Sequence, residues 1–196
     1  LADKCIEKVN RDEFNVSEGF YMDSSESKRF QIGWVSGIIT AYSMLLTDST
    51  EYHERAAATI SFVLEEGISP CGLPMGFYDD TGWRGLEIWD QLDFAAVHIR
   101  RIMEAIFYMF RIIRLGKLHD QKLIKDLKNL AISSCDRLSK MVDEYGHFGH
   151  SVNLNDGSIL WGGSAAGVTG ISCLCECYKM TGNAYWLNQA ESAGNY

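Results

Sequence analysis

The sequence has no block of basic residues. Lys and Arg together number 18 against 26 Asp and Glu, which gives a net charge of −8 and a pI near 5.1. A protein that binds the phosphate backbone of nucleic acid needs clustered positive charge. The composition therefore argues against nucleic acid as a partner.

Long apolar runs are also missing. The longest one, 34–46, is interrupted by Ser, Gly and Thr, whereas a membrane-spanning helix needs about 20 consecutive apolar residues. The sequence shows no membrane anchor and no signal-like segment, which favours a cytoplasmic protein, although the chain starts at Leu1 without a Met. With 46% hydrophobic and 22% charged residues, we expect one folded domain, 1–196, belonging to a longer catalytic domain.

Six cysteines are present, but their pattern is not that of a disulfide framework. Cys173, Cys175 and Cys177 are spaced by two within an apolar helical pattern, so successive side chains point in different directions. Three sulfurs placed in this way cannot surround a zinc ion tetrahedrally. We therefore expect free core thiols, no metal and no cofactor.

The remaining chain is a series of helical patterns of two kinds. Helices rich in small or apolar residues alternate with amphipathic ones that carry a single apolar stripe. The predicted helices are 2–14, 34–47, 50–66, 94–115, 118–144, 164–180 and one that starts near 181.

A glycine-aromatic loop precedes each small-residue helix, and these loops repeat. Each contains a Gly-neighboured Phe that is followed 14, 12 or 13 residues later by a Trp. The phenylalanines are Phe20, Phe77 and Phe148, and the tryptophans are Trp34, Trp89 and Trp161. The repeating unit is therefore predicted to be a helical hairpin.

Alternating inner and outer helices joined by such loops resemble the six-hairpin (α/α)6 toroid of glycosidase-like proteins. Unsaturated glucuronyl hydrolases, glucosamine epimerases and several polysaccharide lyases share this fold. The resemblance implies an all-α fold with a site at the mouth of the ring, where the loops before the inner helices meet, and it assigns no catalytic residue.

A complete ring of six hairpins requires on the order of 300 residues. This chain contains about three and a half repeats, so about half of the ring is expected. We expect the missing remainder of the domain, or a partner chain, to complete it.

The second of the three glycine-aromatic loops, which precedes the second inner helix, supplies most of the candidate site. Its carboxylates are Asp79, Asp80, Glu87 and Asp90. Hydrolysis of a glycosidic bond usually needs two carboxyl groups about 5 to 10 Å apart. We favour Asp79 or Asp80 as the acid, because adjacent carboxylates can raise one pKa by repulsion and desolvation. The competing interpretation is that one Asp only caps a turn.

Other loop residues are candidates for binding or proton transfer. Arg84, together with converging helix N-termini, suits an anionic ligand such as a uronic acid, and Asp156 lies in a second loop. His147 and His150 are candidate acid–base groups for epimerase or lyase chemistry. His98 is predicted to lie on an enclosed helix as a core or cavity residue.

The tryptophans have two possible roles, since an indole can stack on a sugar or pack neighbouring hairpins together. For Trp34, Trp89 and Trp161, packing is the favoured interpretation and substrate binding the alternative. Trp83 falls outside the repeat and lies beside Arg84, which makes it the preferred ligand contact.

Four functions are compatible with these features. The leading one is a glycoside hydrolase that acts on an oligosaccharide, including uronic-acid-containing ones, by carboxylate acid–base catalysis. The alternatives are a sugar epimerase or polysaccharide lyase on the same fold, a toroid of the terpenoid-cyclase and prenyltransferase type, and a non-catalytic helical repeat that binds a partner.

Overall fold

The computed structural model describes residues 2–23, 29–34, 36–85, 96–143 and 146–194. These residues contain seven α-helices and eight short strands. The helices are α1 Ala2–Glu13, α2 Gly37–Leu45, α3 Thr50–Glu66, α4 Ile99–Leu115, α5 Gln121–Ser139, α6 Thr169–Thr181 and α7 Ala184–Gly194. The strands are β1 Phe14–Asn15, β2 Phe20–Tyr21, β3 Phe30–Gln31, β4 Phe77–Asp79, β5 Gly82–Arg84, β6 Ala96–His98, β7 Ser151–Asn153 and β8 Ile159–Trp161.

The helices form two layers, as the sequence predicts. In the inner layer α2 packs against α4, and α4 packs against α6. Each inner helix also packs against the outer helix that follows it, which is α3, α5 or α7 respectively. The predicted unit of an inner helix followed by an outer helix is therefore confirmed.

Side-chain caps explain where several helices begin and end. The Ser49 hydroxyl accepts a hydrogen bond from the Tyr52 N–H and starts α3, as predicted. The Asp120 carboxylate caps the N-terminus of α5, so this helix begins three residues later than expected. Gly116 ends α4 in the left-handed conformation, with φ of 67°.

The short strands were not predicted, and they connect the repeats. Each glycine-aromatic loop contains an antiparallel hairpin, formed by β1–β2, β4–β5 and β7–β8. Strand β3, which leads toward α2, pairs with β4 of the next loop, and β6, which leads into α4, pairs with β7. Every described connection of this kind thus joins one repeat to the next.

The strands also correct the predicted equivalence of the tryptophans. Trp161 lies on β8, the second strand of its hairpin, which is the place that Trp83 occupies on β5. Trp34 instead follows β3 on the way to an inner helix. Trp83 is therefore within the repeat, contrary to the sequence interpretation, while Trp89 lies outside the described residues.

Small residues allow the inner helices and loops to approach closely. A Cβ added at Gly170 of α6 would lie 2.7 Å from a Met103 side-chain carbon on α4 and 2.9 Å from the Phe148 ring. Phe148 is buried, as are Phe20 and Phe77, so the repeated phenylalanines are core residues. The helix pattern rich in Gly, Ala and Ser is thus explained by packing.

Cys173 and Cys177 are fully buried on α6, as expected for core thiols, and Cys175 is half-buried. All six cysteines are free thiols. Among the helices of the described residues, none is long and apolar enough to cross a membrane.

The contact between α4 and α6 includes a buried carboxylate, which generates the first prediction. Glu176 is 5% exposed and pairs with Arg114 and with Lys179. Burial raises the pKa of Glu176, but the hydrogen bonds from Arg114 and Lys179 outweigh burial, and the pKa lies below its ordinary value of 4.5. Its stabilising effect is therefore present above pH 4.5 and is lost as the pH falls through the lowered pKa.

We expect Glu176→Gln to lower the free energy of unfolding at pH 7 by about 1–3 kcal/mol, because the cationic partners lose a charged acceptor. The matched control is Asp126→Asn, which removes the exposed pair with Lys122 and should change stability by less than about 0.5 kcal/mol. Denaturant unfolding at pH 7 and pH 3.5 measures both. Equal effects of the two substitutions at pH 7 would contradict a specific role for Glu176.

Candidate functional site

The loops before the three inner helices meet at one end of the helical layers. A Cβ added at Gly33, ahead of α2, would lie 2.3 Å from the Arg101 carbonyl oxygen at the start of α4. Phe148, in the loop before α6, contacts the N-terminal part of that helix at Gly170. The predicted convergence of these segments is therefore present in the described residues.

Two histidines and two tryptophans come together at this end. The His98 and His150 rings meet edge to face with centroids 4.7 Å apart. Trp34 stacks on His98 at 6.1 Å, and Trp161 lies 5.8 Å from His150. We call these four residues the histidine–tryptophan cluster; each of the three loops contributes to it.

Backbone pairing fixes this arrangement. In the β6–β7 ladder His98 is opposite Ser151, which places His98 next to His150. The backbone carbonyl oxygen of His150 accepts a hydrogen bond from the Ile99 N–H at 3.0 Å. The backbone N–H of His150 donates to the Trp161 carbonyl oxygen at 2.6 Å. The His150 Nδ1 atom is 3.0 Å from the Ser151 hydroxyl. The cluster thus rests on main-chain bonds.

The cluster has an accessible surface. Trp34 is 42% exposed and Trp161 is 54% exposed, while both histidines are half-buried. Flat indole faces suit the apolar C–H surfaces of sugar rings. The arrangement can therefore hold a ring-shaped, partly apolar ligand next to two imidazoles.

Burial and neighbouring charge determine the protonation of the pair. Burial, and to a smaller extent the nearby His150 and Arg101, together lower the pKa of His98 to about 4. His98 is consequently neutral at pH 7 and can either accept or donate a hydrogen bond. Burial likewise lowers the pKa of Arg101 to about 10, so this guanidinium remains charged at neutral pH.

Asp79 lies in the β4–β5 hairpin, where its carboxylate binds Thr81 and Arg84 of the same hairpin. Its carboxylate is 6% exposed, accepts from the Thr81 N–H at 2.9 Å and from the Thr81 hydroxyl at 2.7 Å, and pairs with Arg84. Burial raises the pKa of Asp79, but these hydrogen bonds outweigh it and the pKa is lowered. The expected rise in pKa is therefore wrong for Asp79. Asp80 is exposed at the turn.

Trp83 packs among aromatic rings near the outer helix α3. Its indole stacks on Phe62 of α3 at 5.2 Å and contacts Phe30 and Tyr78 at 5.4 and 5.6 Å. The sequence favoured Trp83 as the ligand contact and Trp34 and Trp161 as packing residues. The structure reverses this, because Trp34 and Trp161 lie beside the histidines and Trp83 lies in a packing cluster.

The remaining candidates lie apart from the cluster or outside the described residues. His147 pairs with Asp143, four residues earlier, with 3.5 Å between Nδ1 and the carboxylate. Asp156 is exposed in the β7–β8 turn, where the Ser158 N–H donates to it at 2.8 Å, and hydrogen bonds from Ser158 lower its pKa. Glu87, Trp89 and Asp90 fall in the segment that the structure does not describe.

Sequence reasoning missed His98 and Arg101 as members of the site. It placed His98 on the enclosed helix, whereas His98 ends β6 and precedes α4. The sequence signal that could have identified His98 was its position directly before an inner helix, where the loops were expected to meet. Among described residues, no three His, Cys, Asp or Glu side chains are grouped so that they could hold a metal ion.

At the level of sequence, the chain matches no protein-family profile and no curated protein. Its structure is similar to solved structures. A D-mannose isomerase matches at a TM-score of 0.69 and 15% identity over 98% of this chain and 50% of that chain. A possible GH105 family member from Salmonella enterica matches at 0.74 and 14% identity, over 98% of this chain and 50% of the other.

A cellobiose 2-epimerase from Bacillus thermoamylovorans matches at a TM-score of 0.70 and 12% identity, over 99% of this chain and 52% of that chain. The expected fold is thereby confirmed: the described helices are hairpins of an (α/α)6 toroid. The chain spans about half the length of these solved structures.

The placement of Asp79 gives the second prediction. Asp79→Asn should destabilise the protein by about 1–3 kcal/mol, because it weakens three interactions within the β4–β5 hairpin. Asp80→Asn, at the adjacent exposed position, should change stability by less than about 0.5 kcal/mol. Thermal unfolding of both variants makes the comparison. A stable Asp79→Asn variant that has lost all turnover would instead support Asp79 as the catalytic acid.

Proposed function

We propose that this protein is a carbohydrate-active enzyme, and that its site moves a proton on a sugar by means of the histidine pair, as in an isomerase or epimerase. The observation that carries this proposal is the contact of His98 with His150 between two accessible indoles. The similar folds of a D-mannose isomerase and a cellobiose 2-epimerase are consistent with it.

In this proposal each cluster residue has a separate task. The indoles of Trp34 and Trp161 stack on the sugar and hold its reactive carbon near the imidazoles. His150 accepts the proton from the carbon next to the carbonyl group of the open-chain sugar, which leaves an enediolate. Neutral His98 donates a hydrogen bond to the oxygen where negative charge develops. The hydroxyl proton on the deprotonated carbon then moves to the former carbonyl oxygen, and return of the proton from His150 to the former carbonyl carbon gives the isomerised sugar.

Glycoside hydrolysis is the second candidate, and the similarity to a possible GH105 member favours it. It requires a carboxylic acid and a second carboxylate. Asp79 is committed to Arg84 and Thr81, so Asp80, Glu87 and Asp90 are the loop carboxylates left for this role. A lyase would use the same histidines as the isomerase.

The rest of the ring is part of this proposal. The solved structures are about twice as long as this chain, so further hairpins from the same protein or from a partner would form the opposite wall of the site. In such a ring a second catalytic group can come from those hairpins.

The decisive experiment is to incubate the full-length protein with aldoses and uronic acids in D₂O. A histidine that exchanges its proton with solvent places deuterium on the carbon next to the carbonyl, which NMR detects. We expect His150→Gln to lower kcat at least about 100-fold, as for loss of an acid–base group. His119→Gln, an exposed histidine between α4 and α5, is the control and should leave kcat unchanged.

Two further results would redirect the assignment. Release of new reducing ends without deuterium on carbon would indicate hydrolysis and would contradict the isomerase proposal. Loss of activity in His147→Gln with normal activity in His150→Gln would move the base to the neighbouring histidine.

A further inference from the structure

Arg101 is buried in a way that does not favour folding. Only 3% of this residue is exposed, and its Nε atom has no hydrogen-bond partner. Within the described ranges no carboxylate pairs with it, although Arg100, the preceding residue, pairs with Glu104 at 2.8 Å. A buried guanidinium nitrogen without an acceptor is costly. Its presence on α4 therefore requires an explanation other than stability.

The group that Arg101 contacts is Trp34. The guanidinium carbon lies 4.5 Å from the centre of the indole, within the range of a cation–π interaction. Trp34 has φ of 74°, in the left-handed region that residues with large side chains rarely adopt. Two locally unfavourable features are thus in direct contact, and they lie beside His98.

We infer that Arg101 is a positioning residue: its guanidinium holds the Trp34 indole against His98, so that the stacking surface stays next to the histidine pair. The role of that surface in sugar binding rests on the proposed function. The geometric role does not, because it concerns only the contacts among Arg101, Trp34 and His98.

Arg101 also acts on His98 through its charge. The groups that lower the pKa of His98, besides burial, are His150 from the loop before β7 and Arg101 from α4. With Arg101 in place, neutral His98 predominates above about pH 4. Removing the positive charge allows the pKa of His98 to rise toward its ordinary value of 6.5, so protonation would occur at higher pH.

The experiment compares Arg101→Met, Arg101→Lys and the control Arg100→Met in the full-length protein. NMR follows the titration of His98 and the chemical shifts of its ring protons, which the stacked indole moves upfield. In Arg101→Met we expect the pKa of His98 to rise and the upfield shift to disappear. Arg101→Lys, protonated at the acidic pH of the titration, should retain the low pKa but not the stacking. Arg100→Met should change neither.

Stability provides a second readout. Because the buried Nε atom of Arg101 has no hydrogen-bond partner among the described residues, Arg101→Met should leave the Tm unchanged or raise it. If Arg101→Met lowers the Tm and leaves the His98 titration and ring-proton shifts unchanged, Arg101 is an ordinary structural residue and the inference is overturned. If Arg101→Met fails to fold, Arg101→Lys decides the question. Loss of the upfield ring-proton shifts in Arg101→Lys supports the inference, and their retention contradicts it.

Turnover separates this inference from the proposed function. On a sugar that the protein converts, Arg101→Met should raise KM about tenfold, whereas Arg100→Met should not. Absence of turnover with any sugar would contradict the proposed function, while the NMR comparison would still decide the role of Arg101.

Discussion

The antiparallel pairing of each pre-helix strand with the hairpin of the following loop is the constraint on which the site depends. In one ladder Gln31 is opposite Phe77, and in the next His98 is opposite Ser151. Helix packing alone would set only the distance between neighbouring hairpins. Strand pairing also sets the register of the loops, and a shift of one residue would turn His98 to the other face of its sheet. The contact between the two imidazoles is therefore determined by the backbone.

Locally unfavourable features are concentrated at the point that this pairing defines. Trp34 and Ser36 have positive φ values of 74° and 68°, Arg101 is buried without an acceptor at Nε, and His98 has a pKa of about 4. The backbone next to Trp34 is packed closely on α4, because a Cβ added at Gly33 would lie 2.3 Å from the Arg101 carbonyl oxygen. Each such backbone conformation costs about 1–3 kcal/mol, and such costs are concentrated at functional sites in many proteins. Their coincidence with the accessible indoles distinguishes this end of the helical layers from the α3–α5 side, where a cavity of about 570 Å³ has no aromatic lining.

Much of the fold could be predicted from the sequence because a helix leaves a 3.6-residue pattern over several turns. Strands of two or three residues leave no such pattern, so β1 to β8 were missed and the tryptophans were matched to the wrong partners. The meeting of the loops at one end of the helices was predicted, but the contacts among their side chains were not. Asp79 was favoured with Asp80 as the catalytic acid, against a role in the turn, because composition cannot reveal that a hairpin brings Arg84 back to Asp79 five residues later. His98 was placed on a helix because hydrophobic periodicity cannot locate the end of a strand and the start of a helix to within a single residue.

The residues of the histidine–tryptophan cluster come from three successive loops, which explains how hairpins from half of a ring can form a candidate site. Trp34 comes from the first loop, His98 precedes the second inner helix, and His150 and Trp161 come from the third. These side chains form a continuous row of ring contacts, so the histidine pair of the proposed function and both indoles beside it come from the described hairpins. Trp161, at the far end of the row, is more than half exposed. A ligand that stacks there therefore presents its other side to whatever completes the ring. If the proposed function holds, the described hairpins set the position of the proton transfer, and the remaining hairpins set how large a sugar can be accommodated.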